Sequence, residues 1–269
     1  MEKHSMENTN SVVICGNIST DVETSGPFLK FNVAVNQYSG GQKTTSFFPV
    51  EVYGPNLRDD VRNCLVKGHC IHIKGYFKTN AYMDKNGQKQ YRDVIVADKI
   101  STKTKGSFAY AFIWGILLAD PQTRTTQSGK NVTEFRVGAS HNVRNNKTNT
   151  WTNNPAYMGI YAWEPLGKFV AENFKKDDGI FVIGELVMHQ FTGKDGAKRT
   201  VYRVKAFTAN FLNDANTQGP AIASAVSSAA FASAAPAAAT PAPTAPAAPT
   251  YGEYGADEFD AVEEDDLPF

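Results

Sequence analysis

The chain has 269 residues, room for two domains of about 100 residues plus a tail, and 42% of its residues are apolar and 12% aromatic, enough for packed cores. Its formal net charge of zero conceals a segregation: 27 cations face 19 acids up to residue 215, whereas the last 54 residues carry eight acids and no cation. A basic body with an acidic tail implies a polyanion for the one and a different partner for the other. The three cysteines, the five histidines and the absence of any run of about 18 apolar residues argue against a disulfide scaffold, a metal site and a membrane span.

Met1 to Asn10 is a polar arm without the apolar stretch of an export signal. Ser11 to Gly16 is a β-rich run closing on Gly16-Asn17, with Asp21 five residues after the glycine. Phe31 to Val35 alternates again. Phe47 to Tyr53 is a third strand with a legible register: Phe48, Val50 and Val52 form the core face, leaving Phe47, Pro49, Glu51 and Tyr53 on the other. Two large rings on a polar face call for a partner. From Pro55 to Lys67, Leu57, Val61, Cys64 and Leu65 have helical spacing before Gly68, the pattern of a short amphipathic helix with a glycine cap.

Ile71 to Ala97 then reads as a long β-hairpin about Asn86-Gly87. Its first strand puts Ile71, Ile73 and Phe77 on the core side and His72, Lys74, Tyr76, Lys78 and Tyr82 on the other, provided no bulge intervenes. With Lys85, Lys89 and Arg92 further along, that outer side mixes cations with rings. A single nucleic-acid strand needs both, cations for its phosphates and rings for its base faces. Three strands, a short helix and two strands is the element order of the five-stranded Greek-key OB barrel, an all-β fold.

Residues 101–107 form a polar connector, beyond which the pattern returns. Gly115 precedes Asp120 by five residues, and Phe135-Arg136-Val137 echoes Phe31-Asn32-Val33. Tyr157 lies six before Trp163, as Phe47 lies six before Tyr53. Leu166, Phe169, Val170 and Phe174 give a second helix, and Gly184 lies seven before Phe191, as Gly75 lies seven before Tyr82. The offset between copies grows from 99 at the first glycine to 110 at Trp163, with gains confined to a first hairpin and an Asn-rich loop from Ser140 to Pro155. Duplicated domains tolerate insertion in such places. The second hairpin carries Lys194, Lys198, Arg199 and Arg203. Its outward register, Phe181, Ile183, Glu185 and Val187, is apolar enough to suggest a chain-to-chain interface.

The expected organisation is therefore a polar arm (1–10), an OB domain (11–100), a connector (101–107), a second OB domain (108–215), an Ala/Pro-rich disordered linker (216–250) and an acidic tip (251–269). The linker is too poor in large apolar side chains to fold. The tip ends Glu263-Glu264-Asp265-Asp266-Leu267-Pro268-Phe269. Phe269 offers a ring and the terminal carboxylate together, Pro268 limits the ordering entropy lost on docking, and the acids steer toward a basic rim.

These residues resemble the bacterial single-stranded DNA-binding protein family, in a form with two OB domains per chain. Gly16, Asn17 and Asp21 match its opening strand, and the acidic run ending in an aliphatic residue, Pro and Phe matches its C-terminus. The resemblance implies base-stacking rings at Tyr38, Phe47, Tyr53 and Tyr82, and in the second copy at Tyr157, Trp163 and Phe191. The counterpart of Tyr38 falls near Asn142, which makes Trp151 the candidate replacement. It also implies that Asp265, Asp266, Leu267, Pro268 and Phe269 dock replication, recombination and repair proteins. Family members usually combine four OB domains, so two per chain implies a homodimer. The expected function is sequence-tolerant binding and protection of single-stranded DNA, without a catalytic centre, metal or cofactor. The three cysteines are read as reduced core residues, and the location as cytoplasmic: a bacterial cytosol or nucleoid, or a host cytosol for a phage or plasmid gene. Two rivals remain: a recruitment hub whose OB domains contact protein, and an RNA-binding OB protein.

Overall fold

Period-two alternation over most of the first 211 residues leaves the chain one economical way to bury its apolar side chains, as strands with one face inward. The computed structural model describes residues 10–39, 41–54, 57–83, 87, 89–102, 104–145, 149–192 and 198–211, all within one compact unit. The first copy contains β1 (Asn10–Ile18), β2 (Glu23–Ser25), β3 (Phe28–Ser39), β4 (Gln42–Tyr53), α1 (Asp59–Arg62), β5 (Cys70–Met83) and β6 (Lys89–Ser101). The second contains β7 (Phe108–Leu117), β8 (Gln122–Thr125), β9 (Asn131–Asn145), β10 (Thr150–Trp163), α2 (Leu166–Asn173), β11 (Gly179–Thr192) and β12 (Lys198–Phe211).

Each copy closes into an OB barrel. Antiparallel pairs β3–β4, β5–β6, β1–β5 and β1–β3 with a parallel β4–β6 pair close the first. The pairs β9–β10, β11–β12, β7–β11, β7–β9 and parallel β10–β12 close the second in the same way. Closure presses backbones together at the repeated glycines. A Cβ on Gly16 would run into the Ala34 carbonyl, and one on Gly115 into that of Gly138. The glycine spacing shared by the copies thus marks where strands cross.

Two local expectations change. Each barrel carries a short edge strand, β2 or β8, beyond the expected five. The first helix is far shorter than residues 55–67. Among the described residues of that stretch only Asp59–Arg62 is α-helical; Val61 packs against the core from this turn, Leu57 packs against it from before the turn, and Leu65 lies within the core just after it. A single turn gains little from its own hydrogen bonds, so packing decides the conformation. In the second copy α2 forms where the spacing placed it, burying Val170. The cysteines are free thiols, and only Cys15 is fully buried; Cys64 and Cys70 are half-buried.

The two barrels are not independent. β1 uses its second edge to pair antiparallel with β7, from Asn10 opposite Ile113 to Cys15 opposite Phe108. This joins the copies into a twelve-stranded sheet over one continuous core. Each copy's ribbon also leans on the other's hairpin. Gln37 Nε2 donates to the Leu186 carbonyl at 2.8 Å and Ser46 Oγ accepts from the Met188 N–H at 3.2 Å. Reciprocally, Thr79 Oγ1 accepts from the Tyr157 N–H at 3.2 Å. Tyr202 donates to the Phe47 carbonyl at 3.1 Å, its ring lying against Phe48 and Phe77.

Candidate nucleic-acid interface

The β3–β4 ribbon turns one face away from the core, and cross-strand pairing says which residues meet there. Phe28 stands opposite Tyr53, Lys30 opposite Glu51, Ala34 opposite Phe47 and Tyr38 opposite Lys43. Tyr38 is 73% exposed, and Phe47 and Tyr53 are exposed on the same face further along the ribbon. Phe28 braces Tyr53 edge-on, centroids 5.6 Å apart, and Lys30 pairs with Glu51 at 3.3 Å. Sequence reasoning passed over Phe28 and Lys30 because they precede the alternating stretch Phe31 to Val35, whereas β3 begins at Phe28. The β5–β6 hairpin adds Tyr82, which is exposed, half-buried Lys78 and exposed Arg92. Lys89 lies in β6 opposite Met83, and Lys85 is outside the described residues.

The outward residues of β5 do not form one open strip. Its alternation survives, because the register shift between Lys74 and Gly75 places the extra residue, Asp98, in β6. Tyr76, however, is only 6% exposed and stacks on His141 of the second copy, centroids 3.8 Å and planes 9° apart. Burial pushes the Tyr76 hydroxyl up to about 12 and pulls the His141 imidazole down, so both rings are uncharged at neutral pH. Tyr76 therefore leaves the group of open rings. The same contact parts Lys74, in the stretch of β5 paired with β1 beside Val13, from Lys78 and Tyr82.

On the β9–β10 ribbon the corresponding face carries Trp151 opposite Arg144, Tyr157 opposite Gly138, Tyr161 opposite Glu134 and Trp163 opposite Val132. Trp151, Tyr157 and Trp163 follow one another at six-residue intervals, about 20 Å each along a strand. Trp151 is 51% exposed; Tyr157 and Trp163 are half-buried. Asn142 faces Asn153 between the first two rings, so no ring stands where Tyr38 has its counterpart.

Trp163 rests on a small outward cluster of Val132, Tyr161 and Val187. Beside it, Glu134 Oε1 accepts from Arg124 and Arg203, each at 3.2 Å. Arg203 is buried, and desolvation lowers its pKa against the pull of Glu134; the neighbouring Tyr161 hydroxyl is pushed up by its own burial. Phe191, half-buried, lies opposite exposed Arg199. Lys198 is the first residue of β12. Lys194, the linker and the tip residues Asp265, Asp266, Leu267, Pro268 and Phe269 lie outside the described residues.

The outward register of β11 divides. Phe181 and Ile183 pair with Trp114 and Phe112 of β7, whereas Val187 is buried in the cluster under Trp163 and so does not share an exposed face with them. Around Phe181 and Ile183, exposed Tyr110, Phe112, Ile116 and Phe207 give the sheet an apolar outer surface. Among the described residues no group of His, Cys, Asp and Glu could hold a metal ion, and no helix is long and apolar enough to cross a membrane.

Residues 9–102 and 108–212 each match the model of the Single-strand binding protein family. The Single-stranded DNA-binding protein 2 of Chlorobaculum tepidum is 32% identical over 108 residues, 40% of this chain and 72% of that protein. The Single-stranded DNA-binding protein of Thermus thermophilus is 30% identical over 141 residues, 52% of this chain and 48% of that one, and the match to the Corynebacterium glutamicum protein spans 41% of its length. These relatives are named for binding, in keeping with a chain that is not an enzyme. The crystal structure of the wild-type single-stranded DNA binding protein from Thermus aquaticus superimposes with a TM-score of 0.54 at 22% identity, covering 80% of this chain and 96% of that one, which shows a shared fold. Matched twice, once over each barrel, the chain belongs to the single-strand binding protein family.

Proposed function

We propose that this chain binds single-stranded DNA with little regard to sequence, covering and presenting it during replication, recombination and repair. One observation carries the reading. Both ribbons hold rings at matching register on the face away from the core, Phe47 and Tyr53 in one and Tyr157 and Trp163 in the other. Tyr38, Tyr82, Trp151 and Phe191 extend these faces, and Lys78, Arg92 and Arg199 lie beside them. Lys74, Lys85, Lys89, Lys194 and Lys198 complete the proposed set of contacts from the sequence. Each stacked base contributes about 1 to 3 kcal/mol, and each phosphate neutralised adds about 0.7 to the slope of log affinity against log salt.

Titration with poly-dT tests the reading, since the chain has three tryptophans and two of them lie on the proposed face. Quenching at low salt, reversed by added salt, is expected; no quenching would overturn it. Competition between poly-dT and poly-U separates DNA from RNA as the preferred polymer.

The proposed assembly is a homodimer that buries the apolar surface of Tyr110, Phe112, Ile116 and Phe207, and Phe112→Asp is expected to halve the solution mass while leaving the far-UV spectrum unchanged. The acidic tip, on a linker from about residue 216, would recruit genome-maintenance proteins, an assignment that rests on its sequence. Deleting Leu267 to Phe269 should then leave poly-dT affinity intact; a hub whose barrels contact protein predicts the reverse, loss of activity on that deletion with Tyr82→Ala and Trp163→Ala harmless. Three free cysteines suit a reducing, cytoplasmic location.

A further inference from the structure

We propose that each ribbon ends in a nucleotide clamp, a ring set directly opposite a cation, which makes Lys43 and Arg144 strand-contacting residues alongside Tyr38 and Trp151. In the first copy Tyr38 on β3 stands opposite Lys43 on β4. In the second, Trp151 on β10 stands opposite Arg144 on β9. Ring and cation have exchanged strands between the copies, and the pairs sit at different distances from Phe47 and Tyr157. The arrangement therefore recurs without being the same residues copied by duplication. Both rings are more than half exposed, at 73% and 51%, and Lys43 and Arg144 are exposed too.

The second pair shows how such a clamp is held. The Arg144 guanidinium carbon lies 6.0 Å from the centre of the Trp151 ring, and Nε and Nη2 both donate to Asn149 Oδ1, at 2.9 and 2.5 Å. Asn149 sits at φ 54° in the turn that links the strands. A guanidinium has five N–H donors, and Asn149 takes two. The others, for which no acceptor is found among the described residues, can reach a phosphate while a base stacks on the indole, so one nucleotide satisfies both partners. The purely structural alternative is a cross-strand cation–ring contact that stiffens the ribbon end.

The inference rests on the proposed binding of single-stranded DNA, and titration of the full chain with a dT oligomer over a range of NaCl concentrations tests it. Lys43→Gln and Arg144→Gln are each expected to reduce the salt slope by about 0.7 and the double variant by about 1.4. Arg144→Lys should restore the slope, and Lys168→Gln, on α2, should leave it unchanged. Tyr38→Ala and Trp151→Ala should weaken binding by roughly 5- to 150-fold at every salt concentration without altering the slope. Lys43→Gln and Arg144→Gln slopes equal to that of Lys168→Gln, with only the melting temperature moved, would overturn the clamp while wild-type binding stands. Failure of the wild-type chain to bind dT at all would overturn the parent reading.

Discussion

Asp93 is a half-buried carboxylate at the junction of the two barrels, and its replacement by asparagine tests how that junction is held. Its Oδ1 accepts the Thr79 hydroxyl at 2.8 Å, and the same hydroxyl accepts the Tyr157 N–H across the junction. Desolvation pushes the Asp93 carboxyl up to about 6 despite Thr79 and the Arg136 charge, which both pull it down. An unfolded Asp titrates near 3.9, so between roughly pH 4 and 6 the folded chain holds more proton than the unfolded chain. Stability therefore falls as pH rises through that window, and above it the charged carboxylate costs about 3 kcal/mol. An asparagine side chain in its place would keep the acceptor and carry no charge. Allowing about 1 to 2 kcal/mol for burying its amide, Asp93→Asn should be roughly 1 to 2 kcal/mol more stable than wild type at pH 7.5, which is about 2 to 8 °C in Tm for a body of this size. The advantage should shrink as the pH falls and reverse by about pH 4, where the protonated wild type should be about 1 to 2 kcal/mol the more stable. Urea unfolding from pH 4 to 8 at fixed protein concentration would show it. An Asp93→Asn variant less stable than wild type at pH 7.5, or a difference independent of pH, would refute the reasoning.

Other outcomes are equally specific. Tyr82→Ala, at an exposed ring, should lose about 1 to 3 kcal/mol of poly-dT affinity with Tm unchanged within a degree or so, by fluorescence titration and calorimetry. Gly16→Ala should destabilise by about 1 to 3 kcal/mol in urea, since its new methyl meets the Ala34 carbonyl at the strand crossing. Tyr202→Phe keeps the ring against Phe48 and Phe77 but removes its hydrogen bond to the Phe47 carbonyl, and should cost about 1 kcal/mol, read from the urea midpoint.

Much of the candidate interface could be read from the residues because strands alternate with a period of two: once Phe48, Val50 and Val52 are assigned to the core, Phe47 and Tyr53 have only the other face to occupy. The repeat carried that assignment to Tyr157 and Trp163 without further information. What stayed hidden were the partners that meet across strands. Phe28 under Tyr53, and Arg124 and Arg203 on one oxygen of Glu134, depend on pairing register, which hydrophobic pattern constrains only for each strand by itself.

Alternation, turn residues and a repeated glycine spacing were sufficient, by local stereochemistry alone, for two OB barrels with rings facing solvent. Only the tertiary structure decided that β1 joins β7, because an edge strand offers backbone N–H and C=O groups that look the same in any sequence. That single pairing packs β9 and β10 against β5, buries Tyr76 on His141, places Asp93 at a junction, and makes one core out of two repeats.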